Sequence, residues 1–107
     1  MARKKPIFDK TDKKFESYFD GCKEIFLNYM NRDCPKLTPD EMSFKQGSRY
    51  IKIIRGGSVH CFVDRSNGDV LKAASWKAPA KHARGNIFNL DNGLECMGPY
   101  GAAYLKR

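Results

Sequence analysis

The sequence has no long hydrophobic run and few acidic residues. No segment approaches the roughly 20 apolar residues that a membrane-spanning helix requires, and the N-terminus lacks the apolar stretch of a signal peptide. These absences predict a soluble, intracellular protein with no membrane partner. From Lys72 to Leu90 there is no acidic residue at all, so the only charges in that segment are positive.

Motifs for catalysis and metal binding are also missing. The four cysteines (Cys22, Cys34, Cys61, Cys96) form no C-x-x-C pair, and the two histidines complete no familiar zinc spacing. There is no nucleophile elbow, phosphate-binding loop or zincin motif. His60 and Cys61 are neighbours, but adjacent side chains on a strand point to opposite faces. The sequence therefore predicts a protein that is not an enzyme, with no cofactor, no metal, and reduced, buried thiols at Cys22 and Cys61.

Positive charge is what the sequence has in excess. Twenty Lys and Arg residues against twelve Asp and Glu give a formal net charge of +8. Such an excess attracts polyanions and raises the rate of encounter with them, which makes nucleic acid the leading partner class. The alternative is that a small protein is basic for solubility alone.

The length of 107 residues predicts a single α+β domain over residues 12–107, after a basic, flexible arm over residues 1–11. Apolar residues recur at three- and four-residue intervals from Asp12 to Asn31, which predicts an amphipathic helix. From Tyr50 to Ala74, three β-rich runs flank Gly56-Gly57 and Asn67-Gly68, which predicts a three-stranded antiparallel sheet with two-residue turns. A short helix follows, with Pro79 in its first turn and Gly85 just past its C-terminus, and then an irregular C-terminal segment. Residues 42–46 are compatible with an edge strand that this three-stranded architecture leaves out.

Two-residue turns fix a register, which pairs Ile54 with Val59 and Asp64 with Leu71. One sheet face then faces the helix and carries Ile51, Ile53, Phe62, Leu71 and Ala73. The opposite face carries Tyr50, Lys52, Ile54, Val59, Val63, Arg65, Val70 and Lys72. That second face has two interpretations: a surface for nucleic acid, or a surface partly covered by the C-terminal segment, since large exposed apolar patches are rare.

The basic segment after the third strand is a second candidate for anion binding. The N-terminus of the predicted helix offers free amides to a phosphate, although its cations are equally suited to the C-terminal end of that helix. Trp76 either stacks on a base or anchors the helix to the sheet. The predicted nucleic-acid or anion site consists of Tyr50, Lys52, Arg65, Lys72, Trp76, Lys77, Lys81, His82 and Arg84.

Two strings carry a family resemblance. NGDVLKAASWKAPAKHARGNIF (67–88) and GPYGAAYL (98–105) resemble small uncharacterised proteins encoded by tailed bacteriophages. The resemblance implies a viral protein that acts in the cytoplasm of an infected bacterium. It implies no catalytic residue.

The first functional hypothesis is therefore a basic phage protein that binds nucleic acid through phosphate contacts and serves phage replication or expression. The sequence does not distinguish DNA from RNA as the ligand, and it does not indicate the oligomeric state. The second hypothesis is a modulator that binds a bacterial host protein of defence or transcription, its basic face meeting an acidic surface. The third is a sponge for a signalling nucleotide.

Overall fold

A computed structural model describes residues 6–94, 97–98 and 101–102. Within these ranges the chain forms one helix, a five-stranded antiparallel sheet in the order β1-β2-β3-β4-β5, and a small two-stranded hairpin. The elements are α1 (Lys13–Asp33), β1 (Met42–Gln46), β2 (Tyr50–Arg55), β3 (Ser58–Asp64), β4 (Asp69–Ala73), β5 (Pro79–Asn86), β6 (Met97–Gly98) and β7 (Gly101–Ala102). Among the described residues, no helix is long and apolar enough to cross a bilayer.

The predicted amphipathic helix is present as α1. Asp12 is its N-cap and accepts a hydrogen bond from the Lys14 amide at 2.8 Å, which satisfies one of the free donors of the first turn. The apolar stripe faces the sheet, with Phe15, Tyr18, Cys22, Phe26 and Met30 buried. Helical periodicity therefore identified both the element and the face that packs in the core.

The sheet differs from the prediction in its number of strands and in the element that comes after β4. It has five strands rather than three, because Met42–Gln46 and Pro79–Asn86 pair at its two edges. The prediction of a short helix between Pro79 and Gly85 is wrong, since these residues lie in β5. Pro79 lacks an amide hydrogen, and an edge strand tolerates this at its first residue. The α+β class holds, whereas the three-stranded sheet and the second helix do not.

The register of the first hairpin changes along its length. Ile54 pairs with Val59, as the Gly56-Gly57 turn predicts, but Ile53 pairs with Cys61, so His60 is an extra residue in β3. A bulge of one residue moves every later side chain of that strand to the other face. Phe62 and Leu71, predicted in the core, therefore lie on the face away from the helix. Val63 and Val70, predicted on the outside, lie in the core.

The second hairpin has four loop residues instead of the predicted two. Val63 pairs with Val70, and the Gly68 amide donates to the carbonyl oxygen of Asp64 at 2.7 Å. The carboxylate of Asp64 accepts from the Ser66 amide at 2.9 Å and from its hydroxyl at 2.7 Å. Gly68 adopts a φ of 84°. These local bonds make the wider loop, which shifts the pairing by two residues and so leaves the faces unchanged.

The core lies between α1 and the sheet. The Tyr18 hydroxyl donates to Met97 Sδ at 3.1 Å and lies 3.3 Å from Cys61 Sγ; burial raises its pKa well above the ordinary value. Cys22 and Cys61 are buried, as predicted.

The core also includes residues near both ends of the described chain. Phe8 belongs to the core cluster, so the core reaches into the segment predicted as an arm. Part of the C-terminal segment packs on the helix side through Met97, and residues 103–107 lie outside the described residues.

Candidate nucleic-acid interface

The sheet face away from α1 carries most of the candidate binding groups. We call it the outer face and define it by Lys45, Tyr50, Lys52, Ile54, Phe62 and Leu71. Successive strand pairs align one row of residues across all five strands, namely Lys45, Lys52, Phe62, Leu71 and Ala83. The row therefore begins with two cations and continues with apolar side chains.

Lys45 and Lys52 are direct partners in the pairing of β1 with β2. Like charges that face each other across two strands destabilise a sheet. Lys45 is exposed and Lys52 is half-buried, so solvent screens the second charge less than the first. An anion bound over the pair would remove this repulsion, which makes the pair a favourable place for a phosphate.

Three buried apolar residues lie on the same face as the two lysines. Phe62 is 2% exposed, and Ile54 and Leu71 are each 7% exposed, yet none of the three belongs to the main core. The ammonium group of Lys52 lies 5.9 Å from the centroid of the Phe62 ring and 4.4 Å from that of Trp76. The loop between β4 and β5 thus brings Trp76 back over the outer face, where its ring and Lys52 form a cation–π contact.

Tyr50 provides a second aromatic ring on this face. It packs edge-on against Phe62 with 5.9 Å between the ring centroids. The Arg49 guanidinium lies 5.0 Å from the centroid of the Tyr50 ring and 3.6 Å from a carboxylate oxygen of Asp64. Tyr50, Lys52 and Trp76, all predicted site residues, are therefore brought together, and Arg49 joins them.

The remaining cations of the predicted anion site follow the edge of the sheet. Lys77 lies in the loop next to Trp76, while Lys81 and His82 are exposed on β5. Arg84 is half-buried, and its guanidinium donates to the carbonyl oxygen of His82. No free helix amides are available here, because the segment is a strand. Charged side chains on an edge strand also prevent edge-to-edge association of sheets.

Two predicted site residues lie elsewhere. Arg65 donates to the carbonyl oxygens of Phe8, Gly47 and Ser48 at 3.0, 2.7 and 3.2 Å. Its guanidinium thus joins the N-terminal segment to the turn before β2. Strand alternation from Leu71, which is on the outer face, places Lys72 on the side facing the helix. The register error that exchanged Phe62 with Val63 also misplaced these two cations.

Sequence reasoning missed Lys45 and Arg49. Lys45 belongs to β1, where Met42 and Phe44 are partly buried and pack against the core. That alternation was the signal, since it puts Ser43 and Lys45 on the opposite face. Arg49 precedes β2, and nothing in its sequence context indicates that it stacks on the ring of the next residue.

Fold and surface together define a small basic α+β protein. One helix covers one face of a five-stranded antiparallel meander, and the other face presents cations and aromatic rings. The chain belongs to a family of unknown function, DUF7717, whose family model matches residues 4–103. No curated protein and no solved structure matches the chain. The outer face lies wholly within the matched range.

Proposed function

We propose that this protein binds nucleic acid through phosphate contacts made by its outer face and by the adjoining edge of the sheet. The observation that carries the proposal is the direct pairing of Lys45 with Lys52, beside a half-exposed Trp76. A formal net charge of +8 adds long-range attraction for polyanions. Lys77 and Lys81 extend the cationic surface toward β5, whereas Arg65 is already engaged by backbone carbonyl groups.

The test is a binding titration with short labelled DNA and RNA at increasing salt concentration. Binding through phosphates makes the logarithm of the association constant fall linearly with the logarithm of salt concentration. With about four cations in contact, the slope for a single strand is roughly −3. Affinity that does not change with salt would contradict the proposal.

A matched pair of variants locates the contacts. Lys45→Gln with Lys52→Gln removes two charges from the outer face. Lys13→Gln with Lys36→Gln removes two exposed charges from α1 and the loop that follows it. Net charge changes equally in both, so only the first pair should reduce the magnitude of the salt slope, by about one to two. Equal losses in the two pairs would indicate general electrostatic attraction without a defined site.

The cations near β5 are tested separately. Replacement of Lys77, Lys81 and Arg84 together by alanine should weaken binding while the fold remains intact by circular dichroism. A triple variant with unchanged affinity would confine the phosphate contacts to the outer face. The resemblance of residues 67–88 and 98–105 to phage proteins supports a role in phage replication or expression in an infected bacterial cell. Recovery of phage-derived nucleic acid with the protein from infected cells tests that role.

One observation favours the second hypothesis, a host-protein modulator. A groove of about 450 Å³ lies between the second half of α1 and the segment before β1. Leu27, 44% exposed, lines it together with Phe26, Met42, Asp40 and Glu41. Co-purification from bacteria with and without nuclease separates the two functions, since a stoichiometric protein partner that survives nuclease supports the modulator. Leu27→Asp should then abolish that partner without affecting nucleic-acid binding.

A further inference from the structure

The loop between β4 and β5 holds the Trp76 ring in a defined position. The amides of Ala74 and Ser75 both donate to the carbonyl oxygen of Ala78, at 3.0 and 3.1 Å. The Ser75 hydroxyl accepts from the amides of Lys77 and Ala78 at 3.3 and 3.2 Å. Four hydrogen bonds in five residues fix the backbone, so presenting the indole to a ligand costs little ordering of the loop.

Trp76 is too exposed for its position to be explained by packing alone. Trp76 is 47% exposed, whereas Phe62, whose ring centroid lies 5.9 Å from the same Lys52 ammonium group, is 2% exposed. Tyr50 is half-buried and packs edge-on against Phe62. Two partly accessible rings therefore lie on the same face as a buried one, and each is in contact with a cation, Lys52 for Trp76 and Arg49 for Tyr50.

This arrangement matches the chemistry of an unpaired base. Proteins that hold single strands combine aromatic rings, on which bases stack, with cations that follow the backbone. Bases within a duplex are already stacked on one another, so their faces are not accessible to a protein ring without unstacking. A surface that only neutralised phosphates would gain nothing from exposed rings.

We propose that the outer face selects single-stranded nucleic acid, with a base stacked on Trp76 and the adjacent phosphate over Lys45 and Lys52. Tyr50 stacks a second base of the same strand. This inference rests on the proposed function, since it specifies the class of nucleic acid that the same face binds. DNA and RNA share the chemistry involved, and both are included in the test.

The chain contains a single tryptophan, so intrinsic tryptophan fluorescence reports on Trp76 alone. The experiment titrates the 107-residue protein with fluorescently labelled single-stranded DNA, single-stranded RNA and the corresponding duplexes. Both the anisotropy of the label and the tryptophan emission are measured. Stacking of a base on Trp76 should quench the tryptophan emission, and the affinity for a single strand should exceed the affinity for the duplex. Inorganic polyphosphate, a polyanion without bases, should leave the emission unchanged.

Variants complete the test. Trp76→Ala should lower affinity for the single strand by about 5- to 10-fold, near the lower end of the known cost of losing one stacked base. Trp76→Phe should restore most of it, whereas affinity for duplex should change little in either variant. Circular dichroism of Trp76→Ala controls for folding.

The possible outcomes separate the two proposals. Equal binding of duplex and single strand, with no quenching, overturns the single-strand inference and leaves phosphate binding standing. Quenching by polyphosphate as strong as that by a single strand overturns it as well, because the signal would then not require bases. Absence of binding to any nucleic acid overturns both proposals.

Discussion

Lys45 and Lys52 face each other across β1 and β2 as paired residues on the outer face. They are the only positions in the β1–β2 register where two side chains of like charge meet. A fold selected for stability alone would place opposite charges there, because such a pair contributes roughly 0.2–1 kcal/mol. The pairing of two lysines is therefore better explained by binding of an anion than by the stability of the sheet.

The first prediction is that Lys45→Glu stabilises the protein and weakens its binding. The substitution converts repulsion into attraction across the strands, so the free energy of unfolding should rise by about 0.5–1 kcal/mol. Affinity for nucleic acid should fall, since a negative charge then meets the phosphate. Urea unfolding and anisotropy measure the two effects. Lys45→Gln is the control, with a smaller change in each; a loss of stability in Lys45→Glu would contradict the account.

Much of the fold was accessible from periodicity and composition. Apolar residues at helical spacing predict α1, and β-branched residues predict β2 and β3. The strand that the sequence does not predict, β5, depends on pairing with a neighbouring strand. The segment 79–86, PAKHARGN, has no β-branched or aromatic residue, and it becomes a strand only because β4 offers a partner.

The bulge at His60 had the largest consequence for the site. The glycine turn correctly paired Ile54 with Val59, but no local signal in the sequence indicates an additional residue directly after that pair. Because His60 is an extra residue in β3, the side chains after it in β3, and their partners in β4, lie on the sheet faces opposite to those predicted. Tyr50, Lys52 and Trp76 still came together, while Arg65 and Lys72 did not join them.

The second prediction concerns Arg65, which donates hydrogen bonds to the N-terminal segment and to the turn before β2. Arg65→Ala leaves three backbone carbonyl oxygens without their donor. The cost should be about 1–3 kcal/mol of unfolding free energy, measured by urea denaturation. Affinity for nucleic acid should be unchanged under native conditions, because the guanidinium is already occupied. Lys77→Ala is the control and should show the reverse pattern: its stability should change little, while its affinity for nucleic acid should fall.

The third prediction uses two glycines of the hairpin loops. Gly68 has a φ of +84°, and a Cβ there would lie 2.5 Å from the Phe88 ring. Gly68→Ala should therefore destabilise the fold by at least about 1 kcal/mol. Gly57, in the other turn, has no atom within 4 Å of its hypothetical Cβ, so Gly57→Ala is the matched control. Thermal melting should separate the two variants clearly, and equal melting temperatures would contradict the loop geometry.

The last prediction concerns the bulged residue His60, whose side chain is buried. It is 2% exposed, and neither ring nitrogen has a hydrogen-bond partner among the described residues. Burial, with a smaller contribution from the positive charge of Arg55, lowers the pKa of His60 to about 4. The folded protein therefore keeps the imidazole neutral at pH values where the unfolded chain binds a proton.

Stability should consequently fall on acidification. Below the unfolded pKa of 6.5 the unfolded state binds more protons than the folded state, so the free energy of unfolding decreases as pH is lowered. Between pH 7 and pH 5 the decrease should be about 2 kcal/mol, ending near pH 4 where the folded form also protonates. Urea unfolding over this range measures it. His60→Gln, which does not titrate, is the control, because other groups titrate equally in both proteins. A variant with the same pH dependence as the natural sequence would show that His60 is not the group responsible.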